Sequence, residues 1–249
     1  MKHFFSIIGG MGTIATESYV RLINHRVKIA RDQDYLNYIL VNDAQIPDRT
    51  AYIKDHSKTN FFPALKDDVL GQAKLNPDFF VMPCNTAHYF YNDLAALTDI
   101  PFLHMMRIAV HKFIKEYPKE SKIGLIATEG SIYDHLYEDE IHRVHREVEF
   151  GGPEIQPMVT KLIYRDIKEK GIVDGKLYHQ ILQKMHDDYG CNVILLGCTE
   201  LSLAQEKAPD HPYNVIDPQS IIADVSIELA LKIRNGMDPK EACAKYMYK

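Results

Sequence analysis

The chain has 249 residues, 46% of them apolar and 25% charged, with 13 glycines and 12 prolines. This composition excludes disordered, collagen-like and coiled-coil designs and leaves one α/β domain or two smaller ones, each able to bury a core. A formal charge of −5 supplies no general positive field, so nucleic acid is not an expected partner.

The N-terminal stretch "MKHFFSIIGGMGTIATES" has an apolar run that small residues and a glutamate interrupt before it is long enough for a membrane span or a signal. A cytoplasmic protein without a membrane partner is expected. The run "FFSII" reads as a strand, "GGMGT" as its exit turn, and Tyr19, Leu22, Ile23 and Val27 as one face of a helix that Thr13 or Thr16 would cap. "NYILVN" is a second strand leaving through the loop "DAQIPDRTAYI", "FFPALKDDVLGQAKL" a helix, and "PDFFVMP" a third strand. "CNTAHYFYNDLAAL" then turns into a helix, and "FLHMM" reads as a short strand or strand end.

A second half starts near "RIAVHKFIKEY", a helix with one apolar side, and "KIGLIATEG" repeats the pattern of a strand followed by small residues. A helix at "IYDHLYEDEIHRV", a short strand at "EIQPM" and a helix at "DGKLYHQILQKMHDDYG" follow. Strand "NVILLG" leads into "CTELSLAQ"; beyond the loop "KAPDHPYN", "VIDPQSIIADVSIELALKIRNG" supplies a short strand and a long helix, and the last dozen residues read as a terminal helix. Strands alternating with helices predict mostly parallel sheets.

The two halves echo one another. "SIIGGMG" precedes "VMPCNTAH" as "LIATEG" precedes "LLGCTELS", with 74 positions from Gly10 to Cys84 and 70 from Thr128 to Cys198. Two similar halves with facing strand ends would bring Cys84 and Cys198 to opposite sides of one crevice.

A cysteine in a globular chain is by default a small buried hydrophobe, and Cys191 and Cys243 fit that reading. The spacing of the four cysteines forms neither a zinc pair nor a disulfide framework, and the twelve histidines contain no His-Glu-x-x-His, so no metal is expected. Cys84 and Cys198 differ because each ends an apolar strand and opens a helix, where free backbone N–H groups favour an anion and lower a thiol pKa. Two opposed thiols suit inversion at a carbon: one removes a proton as thiolate while the other delivers one. The same pair could form a redox disulfide, though without the usual Cys-x-x-Cys spacing, and Cys84 with His88 as base would be a hydrolytic nucleophile, with a structural hydrogen-bonding role for His88 the equal alternative.

"GGMGT" is either a conformationally free turn or a set of backbone donors for a carboxylate or phosphate. As a dinucleotide fingerprint it is poor, since Ala15 stands where the third glycine belongs and Asp32 and Asp34 do not close a clear second strand; a nicotinamide-dependent oxidoreductase is the weaker competitor. Arg49, in the loop after the second strand, has a planar fork suited to a substrate carboxylate, with an ion pair to Asp48 or solvation as the plain alternative. Lys161 after "EIQPMVT" is read as structural or solvent-facing from its own surroundings.

Taken together, "IIGGMGTIAT", "NDAQIPDRT", "MPCNTAH", "GLIATEGS" and "LLGCTEL" resemble the aspartate/glutamate racemase family across essentially the whole chain. The resemblance implies two pseudo-symmetric three-layer α/β domains with mostly parallel sheets and an active site in the interdomain crevice. The expected division is residues 1–105 with 215–249 returning to the first domain, and 106–214 as the second. It implies a racemase that needs neither pyridoxal phosphate nor metal, a small acidic amino acid as substrate, and a homodimer. It assigns Cys84 and Cys198 to opposite faces of the substrate α-carbon, Cys84 acting on the D and Cys198 on the L enantiomer. Met11, Gly12 and Thr13 would border the pocket, Asn85, Thr86 and Thr199 would donate to the α-carboxylate, Thr128 would approach from the second half, Arg49 would hold the side-chain carboxylate, and Lys161 would add charge. Relatives act on hydantoins or maleate, and a decarboxylase relative keeps one cysteine, so the presence of both favours racemisation. The dedicated glutamate racemase pattern has histidine where this chain has Glu200, which favours the broader aspartate/glutamate group. Outside the enzymes, a small-molecule-binding α/β protein is the alternative.

Overall fold

Apolar runs bounded by small or polar residues form the strands of the computed structural model, which describes residues 1–247. Phe4–Gly9 is β1, buried along its whole length as befits a strand covered on both faces. Helix α1 (Thr13–Arg26) follows, then β2 (Asn37–Asn42), half exposed at the sheet edge, the short helix α2 (Arg49–Lys54) and α3 (Phe62–Ala73), which buries Leu65 and Val69 one turn apart. β3 is only Phe80–Val81, and β1 lies between β2 and β3, parallel to both. A 3₁₀ turn, Thr86–Phe90, runs into α4 (Tyr91–Ala95).

The chain then enters a second unit through α5 (Met105–Glu116). β4 (Lys122–Ala127), α6 (Glu129–Tyr133), α7 (Leu136–Arg143), β5 (Glu147–Glu149) and α8 (Ile155–Thr160) follow, and α8 continues as a π-helical stretch, Lys161–Lys168. Next come α9 (Gly175–Asp187), β6 (Val193–Gly197), α10 (Thr199–Lys207) and β7 (Asn214–Ile216). This sheet is parallel throughout, in the order β5-β4-β6-β7. In α9, Tyr178, Ile181, Leu182 and Met185 fall at helical spacing and pack into the core under the sheet, while Asp174 caps the helix by accepting from the Leu177 N–H at 3.0 Å.

The two units are Met1–Met105 with the chain from Gln219 onward, and Met106–Pro218. The return is made by α11 (Pro218–Arg234), held against α1 by the buried Tyr19 hydroxyl donating to Ser226 Oγ at 2.7 Å and by an Arg26–Asp224 ion pair. The strand within "VID" pairs with β6, so it belongs to the second sheet and the return begins after it rather than at 215. A last helix, α12 (Pro239–Cys243), and one 3₁₀ turn, Ala244–Tyr246, stand where the terminal helix is expected; residues 248 and 249 of that expectation lie outside the described residues.

Within each unit the first strand is central, the second lies on one side and the third on the other: β2-β1-β3 matches β5-β4-β6. The sequence echo is therefore an echo of topology. One local expectation needs correction. "EIQPM" is not a strand: Ile155, Val159 and Ile163 recur every four residues and bury one helical face. The strand beside β4 is β5, whose single apolar residue gives too little alternation to read. "FLHMM" contributes one parallel bridge, Phe102 to Phe80, before α5 begins.

Candidate active site

Both selected cysteines follow the third strand of their unit. After β3, Pro83 cannot donate a backbone hydrogen bond, and the Cys84 N–H closes a tight turn onto Met82 O at 2.8 Å. The turn stops the strand and leaves Cys84 buried at 5% exposure, at the edge of a core containing Ile8, Met11, Phe61 and Phe80. The helix expected after Cys84 is reduced to the 3₁₀ turn and the five-residue α4, so little aligned peptide dipole points at this thiol. Cys198 is itself the N-cap of the nine-residue α10 and is also 5% exposed.

His88 is accounted for by the backbone. The Met105 N–H donates to its Nε2 at 3.1 Å, so Nδ1 carries the proton and donates to the Cys84 carbonyl at 2.8 Å. With both ring nitrogens engaged, and the ring stacked on Tyr91, the side chain braces the turn that presents Cys84. This favours the structural role over that of a base in hydrolysis.

The glycine turn after β1 is shaped by a close approach. Gly10 has φ +94°, and a Cβ there would lie 2.3 Å from the Asp43 carbonyl oxygen. Its N–H donates to Thr16 Oγ1 at 3.0 Å, and the same hydroxyl donates to Gly12 O at 2.9 Å. Neither threonine caps α1 as expected: Gly12 is the N-cap, Thr13 is the first helical residue, and Thr16 turns back to tie the loop. Met11 is buried, Gly12 partly so, and Thr13 is exposed with its hydroxyl accepting from Asn42 Nδ2 at 3.3 Å. Gly10→Ala is expected to destabilise the protein by about 3 kcal/mol or more, from left-handed backbone strain plus the backbone clash; chemical denaturation showing a loss below about 1 kcal/mol would refute the close-approach account.

Arg49 begins α2 and is 9% exposed. Its Nη1 donates to Ile46 O and Pro47 O, both at 3.1 Å, while Asp48 is occupied as the N-cap, accepting from the Ala51 N–H at 2.8 Å. Among the described residues the guanidinium has no carboxylate partner. A buried cation without a counter-charge is costly, so this one is suited to an anion from outside the chain. Lys161 is different. Half exposed, it pairs with Asp166 at 2.5 Å and Asp174 at 3.8 Å, which raises its pKa and ties it down within its own helical region.

Asn85 and Thr86 are buried directly after Cys84. Thr128 caps α6, accepting from the Ser131 N–H at 3.2 Å, and Thr199 is buried as the first residue of α10. In the first unit these place Met11, Gly12, Asn85 and Thr86 on the exits of β1 and β3; in the second they place Thr128 and Thr199 on the exits of β4 and β6. Ligands of parallel α/β sheets bind at the carboxyl ends of such strands.

The structure adds two residues to this set. Cys198 Sγ donates to Glu200 Oε2 at 2.8 Å, Thr199 Oγ1 reaches the same oxygen at 3.4 Å, and Lys168 Nζ lies 3.8 Å from Oε1. Glu200 is 3% exposed, so this is a buried carboxylate held by a cation and two donors. Burial first, and then the Glu200 charge, push the Cys198 thiol well above its ordinary value, with Lys168 opposing. The start of α10 also opposes, but a helix terminus contributes only about 0.3–1 kcal/mol to a neighbouring charge, less than one pKa unit. Glu200 was visible in the sequence only as a departure from a pattern, and Lys168 gave no signal because a separate element carries it. Burial pushes Cys191 up to about 11 and Cys243 up to about 12, leaving both unreactive at neutral pH.

Among the described residues no cluster of three or more His, Cys, Asp or Glu side chains is arranged to hold a metal ion, and no helix is long and apolar enough to cross a membrane. The sequence profile described as Asp/Glu/Hydantoin racemase matches residues 8–225. The chain belongs to this racemase family. It is 25% identical over 236 residues to the broad specificity amino-acid racemase RacX of Bacillus subtilis, covering 90% of this chain and 97% of that one. Among solved structures, the Picrophilus torridus aspartate racemase superposes with a TM-score of 0.76 at 22% identity, covering 96% of this chain and 97% of the other. The glutamate racemase isoform RacE1 of Bacillus anthracis gives 0.59 at 18% identity, over 93% of this chain and 81% of that one. Both share the mixed α/β fold with parallel sheets and two domains.

Proposed function

We propose that this racemase-family chain interconverts the enantiomers of aspartate, glutamate or both, without pyridoxal phosphate or metal, using Cys84 and Cys198 on opposite faces of the substrate α-carbon. The observation that carries the reading is the equivalence of the two thiols: each lies immediately beyond the third strand of a matching three-strand arrangement. A thiolate on one face takes the α-hydrogen as a proton, the electron pair passes toward the α-carboxylate, and the opposite thiol donates a proton to the other face. Each turnover inverts the centre and leaves the two cysteines with exchanged protonation states.

The carbanion needs fixed donors around the carboxylate, because its electron pair has no cofactor to enter. Asn85, Thr86 and Thr199 are the proposed donors, Thr128 adds one from the second unit, and Met11, Gly12 and Thr13 form the wall beside them. Arg49 is the proposed receptor for the side-chain carboxylate, supported by its burial and by the absence of a carboxylate partner among the described residues. Lys161, already paired with Asp166, adds only longer-range positive charge. A cytoplasmic homodimer is proposed with this activity.

The test is incubation of the purified protein with each L and D amino acid in deuterated water, following optical rotation and α-deuteration together. Inversion with deuterium incorporation is expected for aspartate or glutamate, with a much slower reaction on alanine. Turnover of a hydantoin or of maleate, with neither acidic amino acid deuterated, would replace this reading by one of those two activities.

A further inference from the structure

A two-thiol racemase needs its cysteines in different states before substrate arrives, one protonated and one not. Both cysteines stand at the exit of a third strand, Cys84 ahead of a 3₁₀ turn and Cys198 as the N-cap of a helix. Two residues beyond Cys84 stands Thr86, which is neutral, whereas two residues beyond Cys198 stands Glu200, whose Oε2 accepts the Sγ–H at 2.8 Å. The carboxylate is buried, and its other oxygen faces Lys168 Nζ at 3.8 Å, from the π-helical stretch packed against α10.

We propose that Glu200, anchored by Lys168, is a positioning residue that fixes the resting state of Cys198 as the thiol, so that in the free enzyme Cys198 is the proton donor. This inference rests on the proposed two-thiol reaction. When Cys198 acts, its S–H bond breaks as the new Cα–H bond forms with the carbanion's electron pair. The thiolate left behind faces the Glu200 carboxylate, and that repulsion drives the proton's return. Lys168 limits the cost by holding Glu200 in one orientation and offsetting its charge. Its own ammonium is steered by the Tyr164 ring, 4.5 Å away.

The other titratable groups facing this cluster do not replace Glu200. Tyr137 of α7 is fully buried and held neutral by burial. Asp217, which follows β7, accepts from Ser202 Oγ on α10 at 2.6 Å, and its charge acts on the buried Tyr137 hydroxyl. β6 itself carries no titratable side chain.

Because racemisation has an equilibrium constant of one, kcat/KM must remain equal for the two enantiomers in every variant, so turnover ratios alone cannot read the resting state. The thiols are better observed directly. In the intact protein labelled with 13Cβ-cysteine, each cysteine signal is assigned by its alanine substitution and followed against pH. In the unsubstituted protein Cys198 is expected to remain a thiol through neutral and mildly alkaline pH. In Glu200→Gln, which keeps the shape and removes the charge, its midpoint is expected to fall by about one pH unit or more, a tenfold or greater change in thiolate fraction. Lys168→Met is expected to move the midpoint up or out of range, while Cys84 keeps its midpoint in both variants. A purely structural role for the pair would not give opposite signs. An unchanged or raised Cys198 midpoint in Glu200→Gln, including no titration up to the alkaline limit in both proteins, overturns the proposal, as does a lowered one in Lys168→Met. The readout needs no turnover, so a failed racemase assay with a shifted thiol would discard the reaction and keep the thiol–carboxylate coupling.

Discussion

Cys84→Ala and Cys198→Ala are each expected to lower two-way racemisation by about 10³-fold or more, the scale of losing a positioned proton-transfer group. The fold should survive, since each change removes one sulfur atom at the edge of a core and is comparable to the loss of a single methyl group, about 1 kcal/mol. Thermal unfolding checks that part. The informative measurement is in deuterated water. Each variant keeps one thiol on one face, so each should exchange the α-hydrogen of only one enantiomer and return it unchanged in configuration. The two variants should select opposite enantiomers. Cys191→Ala is the control, because Cys191 is buried beside Gly124 with its thiol pushed up to about 11. Full two-way racemisation by either Cys84→Ala or Cys198→Ala would end the two-base assignment.

Arg49→Lys is expected to reduce kcat/KM for aspartate and glutamate by about 10²-fold with little change for alanine. Lysine keeps the positive charge but loses the planar fork, and a charge-assisted hydrogen bond contributes about 1.5–3 kcal/mol, each 1.4 kcal/mol being tenfold. The conservative variant is preferable to alanine because Nη1 also serves the carbonyls of Ile46 and Pro47. Deleting it leaves those carbonyls short of a donor and mixes stability with binding. Equal losses on acidic and neutral substrates would mean that Arg49 shapes the loop after β2 and does not read a side-chain carboxylate.

Much of the fold was legible because buried parallel strands are written as uninterrupted apolar runs. "FFSII", "KIGLIA" and "VILLG" declare β1, β4 and β6, and the α9 helix shows in its three- and four-residue spacing. What could not be read is what lies at the edges. β5 is "EVE", stabilised by its place beside β4 rather than by its own residues. "EIQPM" looks extended in isolation, and its helical identity emerges only when Val159 and Ile163 are seen to share a face with Ile155. The helix expected after Cys84 failed because the backbone there is tightened first by the Cys84-to-Met82 turn and then by a 3₁₀ segment.

The sequence by itself marked Cys84 and Cys198 as equivalent strand-end cysteines, because covalent order carries a repeated motif whatever the chain does in space. It also marked Arg49 and the glycine turn, whose residue types have few plain uses in those positions. Only the tertiary structure decided how each group is set. It assigned His88 to the backbone by occupying both ring nitrogens, bound Lys161 to Asp166, and left Arg49 buried, donating to two carbonyls and without a carboxylate partner among the described residues. It also drew Lys168, from an element distant in sequence, to the carboxylate that holds the Cys198 proton. Protonation and ion pairing depend on distances of a few ångströms and on exclusion of water, and these arise only when separate elements pack.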